Sequence, residues 1–242
     1  GLGDVYKRQS DSYLRMIQNQ LTSLFTHAAK IYDLPVNPCK KVKRMGNSDS
    51  RSLNFWTLDE YKQFIQTMEP GTRYYLMFEM LFWTGCRIGE LLAITKADIN
   101  FEKNQLSINK TYYRTGMQDI ITEPKTKQSF RTIEIPEFLK EEIKEFVDGH
   151  YGMPDTERLF PVVQEAVQHK MKRQIELAGV KKIRVHDIRH SHVAYLIEKG
   201  VEPLLIRDRL GHKDIRITLN TYGHLYPNQQ RKIANLLDNE NG

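Results

Sequence analysis

Residues 72–85 limit the fold more than any other stretch, because Tyr75, Met77, Phe78, Met80, Leu81 and Phe82 follow one another with little polar interruption. A helix of that composition belongs in a core, where other elements cover it. A chain of 242 residues can build one large domain or two modest ones around such a segment. No run resembles a membrane span.

The flanking patterns supply the covering elements. Between 12 and 31, Leu14, Ile17, Leu21, Leu24, Ala28 and Ile31 are spaced by threes and fours, which predicts an amphipathic helix. Residues 33–54 combine Pro35, Asn37-Pro38, the basic run Lys40-Lys41-Val42-Lys43-Arg44 and the tract Gly46-Asn47-Ser48-Asp49-Ser50, the composition of a linker. Thr57-Leu58-Asp59-Glu60 has the pattern of a capping box opening a helix to about residue 68. After the apolar helix, Arg87 opens another, anchored by Leu91, Leu92 and Ile94, with Glu90 one turn along to hold the outward guanidinium. From 98 to 135 the period shortens: segments 99–101, 106–113, 120–122 and 129–135 predict one small antiparallel sheet, with a lysine-bearing hairpin turn at 123–128. Further helices are expected over 137–147, 163–178, 186–199, 203–210, 215–221 and 229–237, with a short extended piece at 158–161. The fold class is therefore mainly α with a small antiparallel β-sheet (α+β).

The net charge of +6 and a sequence pI near 9.1 favour a polyanionic partner. Cys39 and Cys86 are far apart and lack ligand spacing, so they suggest neither a disulfide framework nor a zinc site, and the chain reads as reducing and intracellular. His186 and Arg189 lie three positions apart in a helical stretch, so both leave one face, and imidazole beside guanidinium makes a clamp for an anionic oxygen. A tyrosine some thirty positions on, Tyr222, can supply a nucleophile.

The motifs Thr84-Gly85-Cys86-Arg87-Ile88-Gly89-Glu90, Pro124-Lys125-Thr126-Lys127, His186-Asp187-Ile188-Arg189-His190, Leu210-Gly211-His212 and Tyr222-Gly223-His224-Leu225 stand in one order over about 55–238. In order and spacing they resemble the tyrosine recombinases, the integrase family of phages and integrative elements. The resemblance implies a tyrosine recombinase catalytic domain over 57–242, a linker at 46–56 and, over 10–45, the C-terminal part of a helical core-binding domain. Residues 1–9 share no periodicity with the helix beyond them and read as a remnant foreign to the native protein.

The resemblance also implies the chemistry. Arg87 and Arg189 hold the charge that accumulates on a phosphodiester in its transition state, their planar forks donating two bonds each. His186 and His212 add donors or move a proton, and Glu90 supports Arg87. Lys125, with Lys127 as rival, matches the general acid for the leaving 5′ oxygen. Tyr222, with Tyr226 one turn later as rival, matches the nucleophile that forms a 3′-phosphotyrosyl bond, a reaction needing neither ATP nor a metal. The implied partners are double-stranded DNA attachment sites, met as a monomer when free and as a homotetramer on paired sites, with a directionality factor for excision and no membrane. The apolar stripe Ile233, Leu236 and Leu237 is then expected to dock on a neighbouring protomer. Three other readings compete. A type IB topoisomerase shares the residues; a helix-turn-helix over 202–222 would display Arg207, Arg209 and Arg216; and a metallohydrolase would use His186 and His190 at i and i+4 as zinc ligands.

Overall fold

A computed structural model of the chain describes residues 10–45, 54–124, 129–150 and 152–225. The described residues fall into two compact units, divided at Ser52 and Leu53.

The first unit is built on helix α1 (Asp11–Ile31), which the Ser10 side chain caps by accepting from the Tyr13 amide. The residues after it fold back on the helix. Asn37 donates to the Thr22 carbonyl and the Thr26 hydroxyl, both at 3.0 Å, and the Met45 amide donates to Gln18 Oε1 at 2.6 Å. Residues 33–45, which carry a linker's composition, are thus tied down by side chains reading the backbone, with a 3-10 turn at Pro38–Lys41. Leu21, Leu24 and Ile31 on α1 are exposed within this unit.

The second unit is organised by the apolar segment. Helix α2 (Leu58–Ile65) starts at the expected capping box, Thr57 and Glu60 each accepting from the other's backbone N–H. Helix α3 (Arg73–Thr84) follows, and every residue from Leu76 to Phe82 is buried. The acid among them, Glu79, accepts from Tyr61 Oη and Trp83 Nε1, each at 2.7 Å, so its burial leaves no orphaned charge group. Helix α4 (Ile88–Leu91) comes after a left-handed turn at Gly85.

Among the described residues the strands form two sheets rather than one. Strands β1 (Ile99–Asn100), β2 (Gln105–Ile108) and β5 (Arg131–Glu134) make an antiparallel sheet in the order β1-β2-β5, while β3 (Thr111–Thr115) and β4 (Gln118–Thr122) make a separate hairpin. The expected single strand 106–113 breaks at Asn109 and Lys110 because both side chains turn to Asp98. Asn109 donates to Oδ1 at 3.0 Å, and Lys110 pairs with Oδ2 at 2.6 Å. The expected hairpin turn is corrected too: β4 pairs with β3 and β5 with β2, so 123–128 connects two sheets. Lys125 and Lys127 lie outside the described residues, as does the expected helix 229–237.

Helices α5 (Glu137–Asp148), α6 (Gln164–Ala178), α7 (Asp187–Glu198), α8 (Pro203–Leu210) and α9 (Ile215–Tyr222) complete the unit. The extended piece at 158–161 is a bridge to Thr95, with the Leu159 amide donating to the Ile94 carbonyl. Helix α7 packs on α3, so the chemistry-bearing motif sits against the most apolar helix of the chain. Among the described residues, no helix is long and apolar enough to cross a membrane.

Candidate active site

The turn from α3 into α4 shows why glycines stand at 85 and 89. Gly85 has φ +66°, and a Cβ there would come within 2.5 Å of His192 Cδ2; a Cβ on Gly89 would meet Thr111 Oγ1 and the Tyr112 carbonyl oxygen at 2.8 Å. The first glycine ends α3 and the second lets α4 lie on β3. Between them Arg87 occupies the N-cap position of α4 and is partly exposed. Glu90 Oε2 accepts from the Arg87 amide and Oε1 from the Arg87 guanidinium, both at 2.8 Å.

Glu90 does more than hold Arg87. Arg131, on β5, forks onto the same carboxylate at 2.8 and 3.1 Å, and its Nε donates to the Arg209 carbonyl at 2.8 Å. Both side chains are only 5% exposed. Burial alone would raise the Glu90 carboxyl, but the hydrogen bonds and charge of Arg131, with the charge of Arg87, hold it down at about 2. One carboxylate therefore joins the start of α4 to the central sheet. Arg131 carries no sequence signal of its own, being one polar position in an alternating strand.

Arg189 is buried, and its guanidinium lies against the ends of two helices. Nη1 donates to the Gly85 carbonyl and Nη2 to the Leu210 carbonyl, both at 2.7 Å. Burial and the nearby Arg87 pull it down to about 9, so it remains a cation at neutral pH. The expected pairing of His186 with Arg189 along one helical face is modified: His186 sits at the N-cap of α7, and Arg189 turns two of its donors inward. The two still interact, since burial first and then the charge of Arg189 lower the His186 imidazole.

His212 follows the left-handed Gly211 that ends α8, and its Nδ1 lies 2.9 Å from Thr218 Oγ1. It is lowered to about 4 by burial and then by Arg189, Arg87 and Arg131. Tyr222 is the last residue of α9 and is 2% exposed, packed among Val193, Ile197, Ile206 and Leu210. Burial pushes its phenol up to about 12, while the charges of Arg189 and Arg87 act in the opposite direction. The Tyr222 hydroxyl lies 2.6 Å from Nδ1 of His190, a residue whose sequence spacing pointed only to zinc. Arg87, His186, Arg189, His212 and Tyr222 thus come together around α7, and Arg131 and His190 join them.

Two competing readings meet specific geometry here. Arg209, offered to a nucleic-acid groove by the helix-turn-helix reading, instead reaches inward to the carbonyls of Trp83 and Glu134 and to His192. His190 is engaged by Tyr222 Oη, and among the described residues no group of three or more His, Cys, Asp or Glu is arranged around a metal position.

The family model described as "Phage integrase family" matches residues 54–229. The chain belongs to the phage integrase family. Curated members similar to it include the ICEBs1 integrase of Bacillus subtilis (strain 168), 31% identical over 95% of this chain and 66% of the relative. A XerC-like tyrosine recombinase of Caldanaerobacter subterraneus subsp. tengcongensis is 28% identical over the same shares. This family member therefore spans about two thirds of the length of those relatives. Among solved structures, the Tn1549 transposon integrase in complex with a circular intermediate DNA superposes with a TM-score of 0.82 at 20% identity, over 100% of this chain and 83% of that one, a likeness of fold.

Proposed function

We propose that the chain is the catalytic part of a site-specific DNA recombinase, an integrase that moves a mobile element by cleaving and rejoining DNA through a 3′-phosphotyrosyl intermediate. The observation that carries this reading is the meeting of the motifs at α7: the Tyr222 hydroxyl lies 2.6 Å from His190, the residue after Arg189, and the Arg189 guanidinium is seated on the carbonyl of Gly85, two residues before Arg87. Arg87 and Arg189 are assigned to the non-bridging oxygens, where fixed guanidinium donors stabilise the five-coordinate state more than the ground state. The two carbonyls on Arg189 and the carboxylate on Arg87 fix those donors beforehand, so less ordering is required when the phosphate arrives. His186 and His212, both lowered and so neutral near pH 7, are assigned as donors to the same oxygens. Lys125 is assigned as the acid for the leaving 5′ oxygen. Double-stranded DNA is the substrate, and the site of action is wherever that DNA lies, the bacterial nucleoid within the cytoplasm. Free protein is a monomer and assembles as a tetramer on paired sites, with excision assisted by a directionality factor. The Tn1549 integrase, whose solved structure is a complex with a circular intermediate DNA, supports this class of substrate.

The test is a nicked, radiolabelled duplex carrying the joined ends of the element that encodes the chain. Wild-type protein and Tyr226→Phe form a covalent adduct on it, and Tyr222→Phe binds the duplex but forms none. Adduct in Tyr222→Phe overturns the assignment.

A further inference from the structure

We infer that His190 takes the proton from Tyr222 when the phenol attacks, a role separate from those of His186 and His212. This rests on the recombinase reading. Tyr222 is 2% exposed, so bulk water is a poor base for its hydroxyl. Nδ1 of His190 stands 2.6 Å from Tyr222 Oη, a full hydrogen bond made directly to the atom that attacks. No such contact joins His186 or His212 to the phenol: His212 Nδ1 faces Thr218, and the His186 ring is a neighbour of His190, with centroids 5.4 Å apart. His190 is thereby a catalytic residue by position, because it touches a reacting atom.

The protonation state suits an acceptor. Burial first, then His186, Arg189 and Arg184, against the opposing pull of Asp187, lower His190 to about 4. The ring is neutral at pH 7, and acceptance at Nδ1 selects the tautomer with its proton on Nε2. The groups that face it are His186, Asp187 and Arg189 on and before its own helix, Arg184 in the preceding segment, Tyr222 on α9, and His212, on which His190 itself acts. An anionic phosphodiester seated among these cations offsets their field, which raises the basicity of His190 when substrate is present.

In the attack, the Tyr222 O–H bond breaks and its proton goes to Nδ1, giving an imidazolium. The electron pair left on the phenolic oxygen forms the bond to phosphorus. The bond from phosphorus to the 5′ oxygen breaks, that oxygen keeping the pair and taking a proton from an acid other than His190. On rejoining, the 5′ hydroxyl attacks, and the departing Tyr222 oxygen recovers its proton from Nδ1.

The experiment uses the full chain and the same nicked duplex, measuring single-turnover adduct formation from pH 6 to 9.5 for wild type, His190→Ala and His190→Asn. Asparagine keeps a hydrogen-bond acceptor for the phenol but takes no proton, so it separates positioning from proton transfer. Both variants are expected to bind the duplex as wild type does, and to form adduct about 100-fold or more slowly at pH 7. Their rates are expected to climb about tenfold per pH unit while wild type levels off. Wild-type rates and pH profile in His190→Asn, or faster cleavage in His190→Ala, would mean that the bond only holds or stores the phenol and would overturn the proposal. Adduct in Tyr222→Phe, or none with wild type, overturns the recombinase reading and this proposal with it. Tyr222-dependent adduct that ignores position 190 overturns this proposal alone.

Discussion

Replacing Glu90 by Gln keeps the shape of the side chain and removes the charge that Arg87 and Arg131 share. Two routes give the expected size. The carboxyl lies at about 2 in the folded chain against an ordinary 4.5, and at about 1.4 kcal/mol per pH unit this is worth about 3 kcal/mol. Independently, removing one partner of a buried ion pair typically costs about 3–5 kcal/mol, because the other charge is left unmatched; here that charge is Arg131, 5% exposed. The sign with pH follows from the depressed value. The stabilisation is fully present above about 4.5 and is lost as the pH falls toward 2, so the gap between wild type and variant narrows to about 2 kcal/mol at pH 3.5. Urea unfolding read by tryptophan fluorescence measures it cleanly, since the chain has 2 tryptophans and both Trp56 and Trp83 belong to the second unit. A gap below about 0.5 kcal/mol at pH 7.5, the level of an ordinary surface substitution, or a gap that does not shrink in acid, would refute the shared-carboxylate account.

Arg189→Lys keeps a charge but cannot bridge the Gly85 and Leu210 carbonyls, and adduct formation is expected to fall about 100-fold with a smaller loss of binding; single-turnover assays and DNA titration check both. A bridging 5′-phosphorothiolate, which leaves without an acid, is expected to restore cleavage to Lys125→Ala and to do much less for Arg87→Ala, whereas rescue of Lys127→Ala would move the role two residues along. His192 is buried and held at about 3 by burial and then by Arg209 and Arg189. Its folded value lies below its unfolded one, so stability falls with acid, and between pH 7.5 and 5 wild type is expected to lose about 2 kcal/mol more than His192→Gln in parallel urea titrations. Gly85→Ala forces a side chain into a φ of +66° and against His192, and a loss of more than about 1 kcal/mol of unfolding free energy is expected in urea titration.

Much of this arrangement was legible in the chain. The apolar run at 76–82, the Thr57 capping box and the glycine that ends α3 each act within a few residues, and periodicity or turn chemistry reports them directly. The two sheets were not legible: what breaks the strand at 109–110 is Asp98, about a dozen positions away, and alternation alone does not show where a side chain will turn for a partner. The same holds in the site. Arg87, Arg189 and Tyr222 stand in motifs, but Arg131 matters because β5 brings it onto Glu90, a contact between residues 41 positions apart. His190 was visible in the sequence, and its spacing from His186 suggested a metal; only the position of α9 reveals a phenol at its Nδ1.

The carbonyls that hold Arg189 come from Gly85 and Leu210, at the ends of two helices separated by most of the domain. Neither end exists until its own helix has formed and packed on α7, so the guanidinium is seated only when distant parts of the chain have met. A nascent or half-unfolded copy therefore carries Tyr222 in its sequence but no seated guanidinium, so the phosphate clamp proposed above is completed only in the folded domain.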